Sequence, residues 1–125
     1  MAQIAPLTPV VSPEEVFCVN RKIRWVALTT DRGDVIYSEQ RQGVESFSPR
    51  QFDEGFVQLG PLTLIGTAER YSEYLKGVDH IVVWFGLVIC VFSRIDSQVV
   101  SVTIEEDRDA LSEFLDWLES KKSAK

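Results

Sequence analysis

Three β-forming runs follow one another with only one or two residues between them, and this arrangement most constrains the fold. They cover His80 to Phe85, Leu87 to Ile95 and Gln98 to Ile104. Gly86 separates the first two runs and Asp96-Ser97 the last two, so both links are as short as β-hairpin turns. The sequence therefore predicts a three-stranded antiparallel meander.

The last of these runs alternates apolar and polar side chains. Val100 and Val102 alternate with Ser101 and Thr103, which is the period of a strand with one face in the core and one in solvent. We therefore expect one face of this strand to be wet.

A β-hairpin is predicted earlier in the chain. Residues Ile23 to Thr30 and Val35 to Ser38 are rich in β-formers, and the link between them contains Gly33. Because Trp25 to Leu28 are apolar at consecutive positions, the first strand of the hairpin is expected to be central in its sheet and covered on both faces.

Two of the three predicted helices begin with the same signal. Ser12-Pro13 and Ser48-Pro49 each place serine at the N-cap and proline at the first helical position. Glu15 and Gln51 stand where the third helical residue completes a capping box. The first helix is expected to end near Lys22.

The central helix contains Gly60-Pro61. Because proline removes a backbone donor and clashes with the preceding turn, a kink or a break into two helices is predicted there. Phe52, Phe56 and Leu59 form the apolar stripe of the first half. Gly77 follows the helix as the predicted C′ residue.

A closing helix is predicted next, with Asp107 or a neighbouring residue as its cap. Its apolar stripe consists of Leu111, Phe114, Leu115 and Leu118. The whole order is α-β-β-α-β-β-β-α, which predicts an α+β domain over residues 13–122 with a five-stranded antiparallel sheet and helices packed on it. Residues 1–12 are expected to be a mobile tail.

Composition narrows the class of function. Among 125 residues, 13 Lys and Arg stand against 19 Asp and Glu, a net charge of −6, which argues against binding nucleic acid or anionic membranes. The single histidine, His80, and the distant Cys18 and Cys90 cannot supply a four-ligand zinc site. No catalytic or nucleotide-binding motif is present. We therefore expect a protein that is not an enzyme and has no cofactor.

The same sequence predicts the cellular context. No apolar run reaches the length of a membrane span, and the first residues lack the pattern of a secretory signal. A cytoplasmic protein with reduced cysteines is the expectation.

The element order resembles that of the roadblock/dynein-light-chain family and its longin and profilin-like relatives, over about residues 13–122. The matching segments are IRWVALTTDRGDVIYSEQR, SPRQFDEGF, the Gly77 link, HIVVWFGLVICVFSRIDSQVVSVTI and DALSEFLDWLESK. The chain looks most similar to small archaeal members. Gly60-Pro61 departs from the unbroken central helix of typical members.

This resemblance implies a non-enzymatic scaffold. Family members dimerise through the central helix and the edge of the sheet, and they dock or regulate small Ras-like GTPases. A homodimer that interacts with such a GTPase is therefore what the resemblance implies for this chain.

The central helix carries four candidate interface residues. Gly55 and Gly66 lie eleven residues apart, about three helical turns, so an unbroken helix would place them on one face with Leu59 and Leu62. Small residues allow two helices to approach closely. The alternative is that both glycines only fit against the sheet.

Three further candidates lie elsewhere in the chain. Trp117 falls outside the stripe of the closing helix, and tryptophan is enriched at interface hot spots, although partial packing against the sheet edge also accounts for it. Arg32 and Arg50 are candidates to bind an anionic partner such as a GTPase phosphate. The alternative for both is a solvated surface position.

A small-molecule sensor of the profilin, PAS or GAF kind is the alternative function. Such domains hold ligands between helices and a five-stranded antiparallel sheet, so a cavity would distinguish them from a scaffold. Trp84, Phe85, Phe92 and Phe56 are expected on the helix side of the sheet, which predicts a filled interior.

Overall fold

The structure is a computed structural model that describes residues 8–47 and 50–123, with the backbone alone for residues 50–54, 65 and 123. The elements are α1 (Pro13–Phe17), β1 (Ile23–Thr30), β2 (Val35–Gln40), α2 (Arg50–Leu75), β3 (His80–Trp84), β4 (Val88–Ile95), β5 (Gln98–Glu105) and α3 (Arg108–Ser123). This confirms the predicted order and the α+β class. Within these residues no helix is both long and apolar enough to cross a membrane.

The five strands form one sheet in the order β2-β1-β5-β4-β3. Every neighbouring pair is antiparallel, so the predicted meander of β3, β4 and β5 and the predicted hairpin of β1 and β2 are confirmed. β1 lies between β2 and β5, as its continuous apolar run predicted. Asp96 takes a positive φ of 56° in the short turn between β4 and β5.

β5 is the middle strand, and the prediction that one of its faces is wet is wrong. Ser101 is fully buried, as is Thr29 on the neighbouring strand β1. Ser101 shares the face of the sheet that α2 covers with Val99, so a polar residue in this alternation does not mark a wet face. The hydroxyl oxygens of both residues have no hydrogen-bond partner among the described residues.

Helices cover both faces of the sheet. α1 and α3 cover one face, where the buried core includes Val16, Leu28, Ile104, Phe114 and Leu118. α2 covers the other, where the buried core consists of Leu64, Cys90, Phe92 and Val99. The sheet is therefore the middle of three layers.

α2 is one helix of 26 residues that continues through Pro61, so of the two predicted alternatives, a kink or a break into two helices, the break is wrong. Pro61 is buried, and removing its ring from water is favourable, which acts against the cost of the missing backbone donor. Two residues further on, the Thr63 hydroxyl donates a hydrogen bond to the Leu59 carbonyl (2.8 Å).

The predicted sheet-facing stripe of α2 is displaced. Leu59 is 53% exposed, whereas Val57 and Leu64 are buried, and Gly60 is buried between them. Phe56 is half-buried beside this stripe, and the side chain of Phe52 lies outside the described residues. The helix therefore turns the Gly60-Pro61 step towards the sheet.

The capping box of α1 is confirmed. The Ser12 hydroxyl accepts a hydrogen bond from the Glu15 backbone N–H (3.1 Å), and the Glu15 carboxylate accepts one from the Ser12 N–H (2.8 Å). The helix ends at Phe17, earlier than predicted. Of the matching signal before α2, Ser48, Pro49 and the side chain of Gln51 lie outside the described residues.

The Asp107 carboxylate accepts a hydrogen bond from the Ala110 N–H (2.9 Å) and so caps α3. At the end of α2, the C′ position is held by Lys76, which has a left-handed φ of 67° and donates its backbone N–H to the Ser72 carbonyl (3.0 Å). The predicted C′ residue, Gly77, follows one position later with a φ of +99°, a conformation that glycine adopts without strain.

The segment before α1 lies against the domain. The Gln98 amide accepts a hydrogen bond from the Val10 N–H (2.9 Å) and donates one to the Thr8 carbonyl (2.9 Å). Val11 is 1% exposed. Residues 1–7 of the predicted tail lie outside the described residues.

Candidate interaction surface

The face of α2 that points away from the sheet carries Gly55, Leu59, Leu62 and Gly66, which we call the outer stripe. Their spacing of four, three and four residues places them on one side of a helix. Leu59 and Leu62 are 53% and 61% exposed. Apart from the backbone of its own helix turn, a β-carbon added at either glycine would have no atom of the described residues within 4 Å. The structure therefore places the four predicted residues together on an exposed apolar ridge with small residues at both ends.

The outermost strand β3 presents a second apolar surface. Val82 and Trp84 are 39% and 43% exposed, and Phe85 and Leu87 in the turn after it are 45% and 65% exposed. The outer edge of β3 pairs with no other strand of the described residues. Such an edge leaves backbone groups available to another chain.

Exposed apolar side chains are concentrated on these two elements. Of eleven exposed large apolar side chains in the described residues, nine lie on α2 or on β3 and its following turn. Three of them, Tyr71, Tyr74 and Leu75, occupy the last turns of α2. Tyr71 and Leu75 lie on the same side of the helix as the buried Leu64, but they are exposed because the sheet does not cover the end of α2. Sequence reasoning missed these three residues, and their apolar character at the helix end was the available signal.

The remaining candidates are not part of the outer stripe. Trp117 is half-buried on α3 with its ring 5.6 Å from that of Phe114, and α3 lies across the sheet from α2. Arg32 is exposed in the turn between β1 and β2, where its N–H donates to the Thr30 hydroxyl (3.3 Å). Arg50 is the first residue of α2, and its side chain lies outside the described residues.

The shifted titratable groups lie on the side of α1 and α3. A hydrogen bond from Lys22 lowers the pKa of Asp107. A hydrogen bond from Lys121 (2.6 Å) lowers the pKa of Glu15. Burial raises the pKa of Tyr37. The first two contacts link parts of the fold, and none of the three groups is on the outer stripe.

The histidine and the cysteines occupy separate places. The Nδ1 atom of His80 lies 3.1 Å from the Ser93 hydroxyl, and its Nε2 atom lies 3.0 Å from the Glu119 carboxylate. The histidine therefore connects β3 with β4 and α3. Cys90 faces the opposite side of the sheet, towards α2. Cys18 is exposed, and the two thiols are not joined in a disulfide. A Cys–His catalytic pair is therefore not formed by Cys90 and His80.

An apolar cleft of about 440 Å³ lies on the α2 side of the sheet. As expected, Phe56 lies on the helix side of the sheet, where its ring centroid is 5.1 Å from that of Phe92 and 6.1 Å from that of Phe85. Trp84 instead points to the other face of the sheet, where the Arg108 guanidinium lies 5.5 Å from its ring. The expectation of a filled interior is therefore wrong beside Phe56 and Phe85.

Known structures share this architecture. The gliding protein MglB from Thermus thermophilus superposes with a TM-score of 0.67 at 10% identity, covering 88% of this chain and 82% of that one. An MglB with a tetrameric arrangement gives 0.68 at 10% identity with the same coverage. The Roadblock/LC7 domain from Streptomyces avermitilis gives 0.61 at 14% identity and covers 88% of both chains.

Comparison of the sequence alone identifies no relative. Neither a protein-family model nor a curated protein matches the chain. Identities of this size bear on the fold only, so the expected similarity to archaeal members stays a prediction. The structural likeness confirms the resemblance of the sequence segments: the chain has the Roadblock/LC7 fold.

Proposed function

We propose that this protein is a non-enzymatic interaction module that forms a homodimer through α2 and β3 and docks a small Ras-like GTPase. The observation that carries the proposal is that nine of the eleven exposed large apolar side chains in the described residues lie on α2, on β3 or in the turn after β3. Exposed apolar patches of this kind mark interaction sites in soluble proteins. The tetrameric arrangement of an MglB with the same fold supports self-association.

The outer stripe suits a contact between two copies of α2. A two-fold axis brings the same residues of both copies together, so Leu59 and Leu62 would pack on their counterparts. Gly55 and Gly66 let the two backbones approach closely. Burying one leucine side chain contributes about 1.5–3 kcal/mol before the cost of association, so two leucines on each copy make a substantial contribution.

The edge of β3 extends this contact. Its unpaired backbone groups can join the β3 edge of a second copy, which continues the sheet across both subunits. Val82 and Trp84 are already exposed beside this edge. Together, helix and strand provide more surface than either alone, and a stable interface needs about 1,000 Å² or more.

A charge on the outer stripe tests self-association. Light scattering and sedimentation at micromolar concentration are expected to give a dimer for the unchanged protein. Leu62→Glu buries a carboxylate in the contact and should weaken dimerisation at least tenfold. Ser112→Glu adds the same charge on the exposed surface of α3 and should leave the dimer intact. An unchanged protein that sediments only as a monomer contradicts the proposal.

GTPase docking needs its own measurement. Each Ras-like GTPase of the source genome, loaded with GDP or with a non-hydrolysable GTP analogue, is titrated against the protein by calorimetry. We expect one of them to bind with a preference for one nucleotide state, and Arg32→Ala to weaken it more than Arg21→Ala, a second exposed arginine. The absence of binding in either state would remove this part of the proposal without affecting the dimer.

A further inference from the structure

The cleft beside α2 has walls suited to an apolar molecule. Aromatic rings of Trp25, Phe47, Phe56 and Phe85 line it, together with Val88 and Cys90. Its volume of about 440 Å³ falls in the range of small-molecule sites, about 300–1,000 Å³. Space next to several aromatic rings favours an occupant with an apolar body.

The polar groups of the cleft carry one charge. Arg24 is the single ionised side chain among the twelve described residues that line it. Its Nη2 donates a hydrogen bond to the Glu45 carbonyl (2.7 Å), and its guanidinium lies 4.1 Å from the centroid of the Phe47 ring. A guanidinium has five N–H donors and suits a planar carboxylate. The arginine is therefore held at the cleft, and no carboxylate is among the described residues that line it.

The neighbouring tryptophan presents its ring to the cleft. The Trp25 indole N–H donates to the Ser38 hydroxyl (3.0 Å), so its polar atom already has a partner outside the lining residues. Gln40, Ser46 and Thr103 supply the uncharged polar part of the lining. An apolar body near the rings and one negative group near Arg24 would match both parts of the cleft.

We propose that this cleft binds a small amphiphilic monoanion, a molecule with an apolar chain or ring and one carboxylate, such as a medium-chain fatty acid. The apolar body lies among Trp25, Phe56 and Phe85, and the carboxylate pairs with Arg24. The inference does not depend on dimerisation or on a GTPase, because every group it uses belongs to one chain and lies apart from the outer stripe, although Phe85 is also part of the exposed apolar surface that follows β3.

Indole signals in a ¹⁵N–¹H NMR spectrum report on this site directly. The chain has three tryptophans, and Trp84 and Trp117 lie on the other face of the sheet. On addition of decanoate the Trp25 signal is expected to shift and saturate while the other two stay in place. Octanoate should bind about tenfold more weakly, because two fewer methylenes are buried. The Leu62→Glu variant should bind decanoate as the unchanged protein does.

Two variants separate the head group from the chain. Arg24→Gln is expected to weaken decanoate binding about tenfold and to leave decanol binding unchanged. Val88→Phe fills the cleft and should abolish binding of both. Val35→Phe is the matched control, since Val35 also begins a strand but is exposed on the far edge of the sheet. Circular dichroism verifies that each variant is folded, and Arg24→Gln decides the question if Val88→Phe does not fold.

Three results would overturn the inference. The first is a Trp25 signal that does not respond to decanoate. The second is equal affinity of the unchanged protein for decanol and decanoate, which would show that the carboxylate contributes nothing to binding. The third is a Trp25 signal that shifts with protein concentration and without ligand, which would assign the cleft to a second copy of the chain.

Discussion

Gly60 of α2 packs directly on the ring of Phe92 in β4. A β-carbon at position 60 would lie 2.3 Å from Cδ1 and 2.9 Å from Cγ of that ring, well inside van der Waals contact. Phe92 is 3% exposed and its ring meets that of Phe56, so it has little room to turn aside. This glycine therefore sets the distance between α2 and the sheet.

Gly60→Ala is expected to destabilise the protein despite the better helix propensity of alanine. Overpacking a core costs about 1–3 kcal/mol, while the gain in propensity is about 1 kcal/mol. We expect a net loss of up to about 2 kcal/mol in the free energy of unfolding, measured by urea denaturation in the Leu62→Glu background to exclude self-association. Gly66→Ala, where a β-carbon meets no atom within 4 Å, should gain about 0.5–1 kcal/mol. Equal stability of the two variants would show that α2 lifts off the sheet without cost.

The contact between Gly60 and Phe92 illustrates why some parts of the fold can be predicted from the sequence and others cannot. Turn residues and caps such as Ser12 and Asp107 act locally, so their positions are readable from a few neighbouring letters. The sheet-facing side of α2 depends on a glycine opposite Phe92, more than thirty residues away, and apolar periodicity alone selects Leu59 instead. The buried hydroxyl of Ser101 misleads for a similar reason, since only the packing of α2 removes it from water.

The candidate surfaces differ in the same way. Gly55, Leu59, Leu62 and Gly66 belong to one helix, so their spacing predicts a common face once the helix is continuous. The cleft is assembled from strands and loops whose residues, such as Arg24 and Phe85, are distant in the chain. No spacing rule connects such residues before the order of the strands is known.

The Gln98 side chain should control the order of the segment before α1. Its amide makes one hydrogen bond to Val10 and one to Thr8, and each hydrogen bond is worth about 0.5–1.5 kcal/mol. Gln98→Ala is expected to accelerate hydrogen exchange of the Val10 amide at least tenfold, as measured by NMR. Gln42→Ala, in the exposed loop after β2, should leave that rate unchanged. Equal exchange in both variants would mean that burial of Val11 alone holds the segment.

Acid should destabilise the protein through Asp107 and Glu15. Both carboxyls have a lowered pKa in the folded state, from ordinary values of 3.8 and 4.5, so the unfolded chain binds more protons as the pH falls. Their stabilising effect is present above those ordinary values and is lost as the pH falls through the lower folded values. The free energy of unfolding should therefore decrease from about pH 5 to pH 3.

Substitution of these carboxyls measures their share of the acid effect. Asp107→Asn keeps a capping side chain but loses the ion pair with Lys22, and Glu15→Gln loses that with Lys121. The double variant should show a flatter dependence of unfolding free energy on pH, while Asp116→Asn, exposed on α3, should follow the unchanged protein. A double variant with the same slope would place the acid sensitivity elsewhere.

The two edges of the sheet should respond differently to protein concentration. If two copies pair through β3, the outward amides of His80–Trp84 become hydrogen-bonded on dimerisation and exchange more slowly. The other edge strand, Val35–Gln40, provides an internal control because it takes no part in that contact. Hydrogen exchange followed by mass spectrometry should show protection of β3 that rises with concentration and disappears in Leu62→Glu. Protection of α2 without any change in β3 would restrict the contact to the helices, and protection of β2 would assign it to the opposite edge.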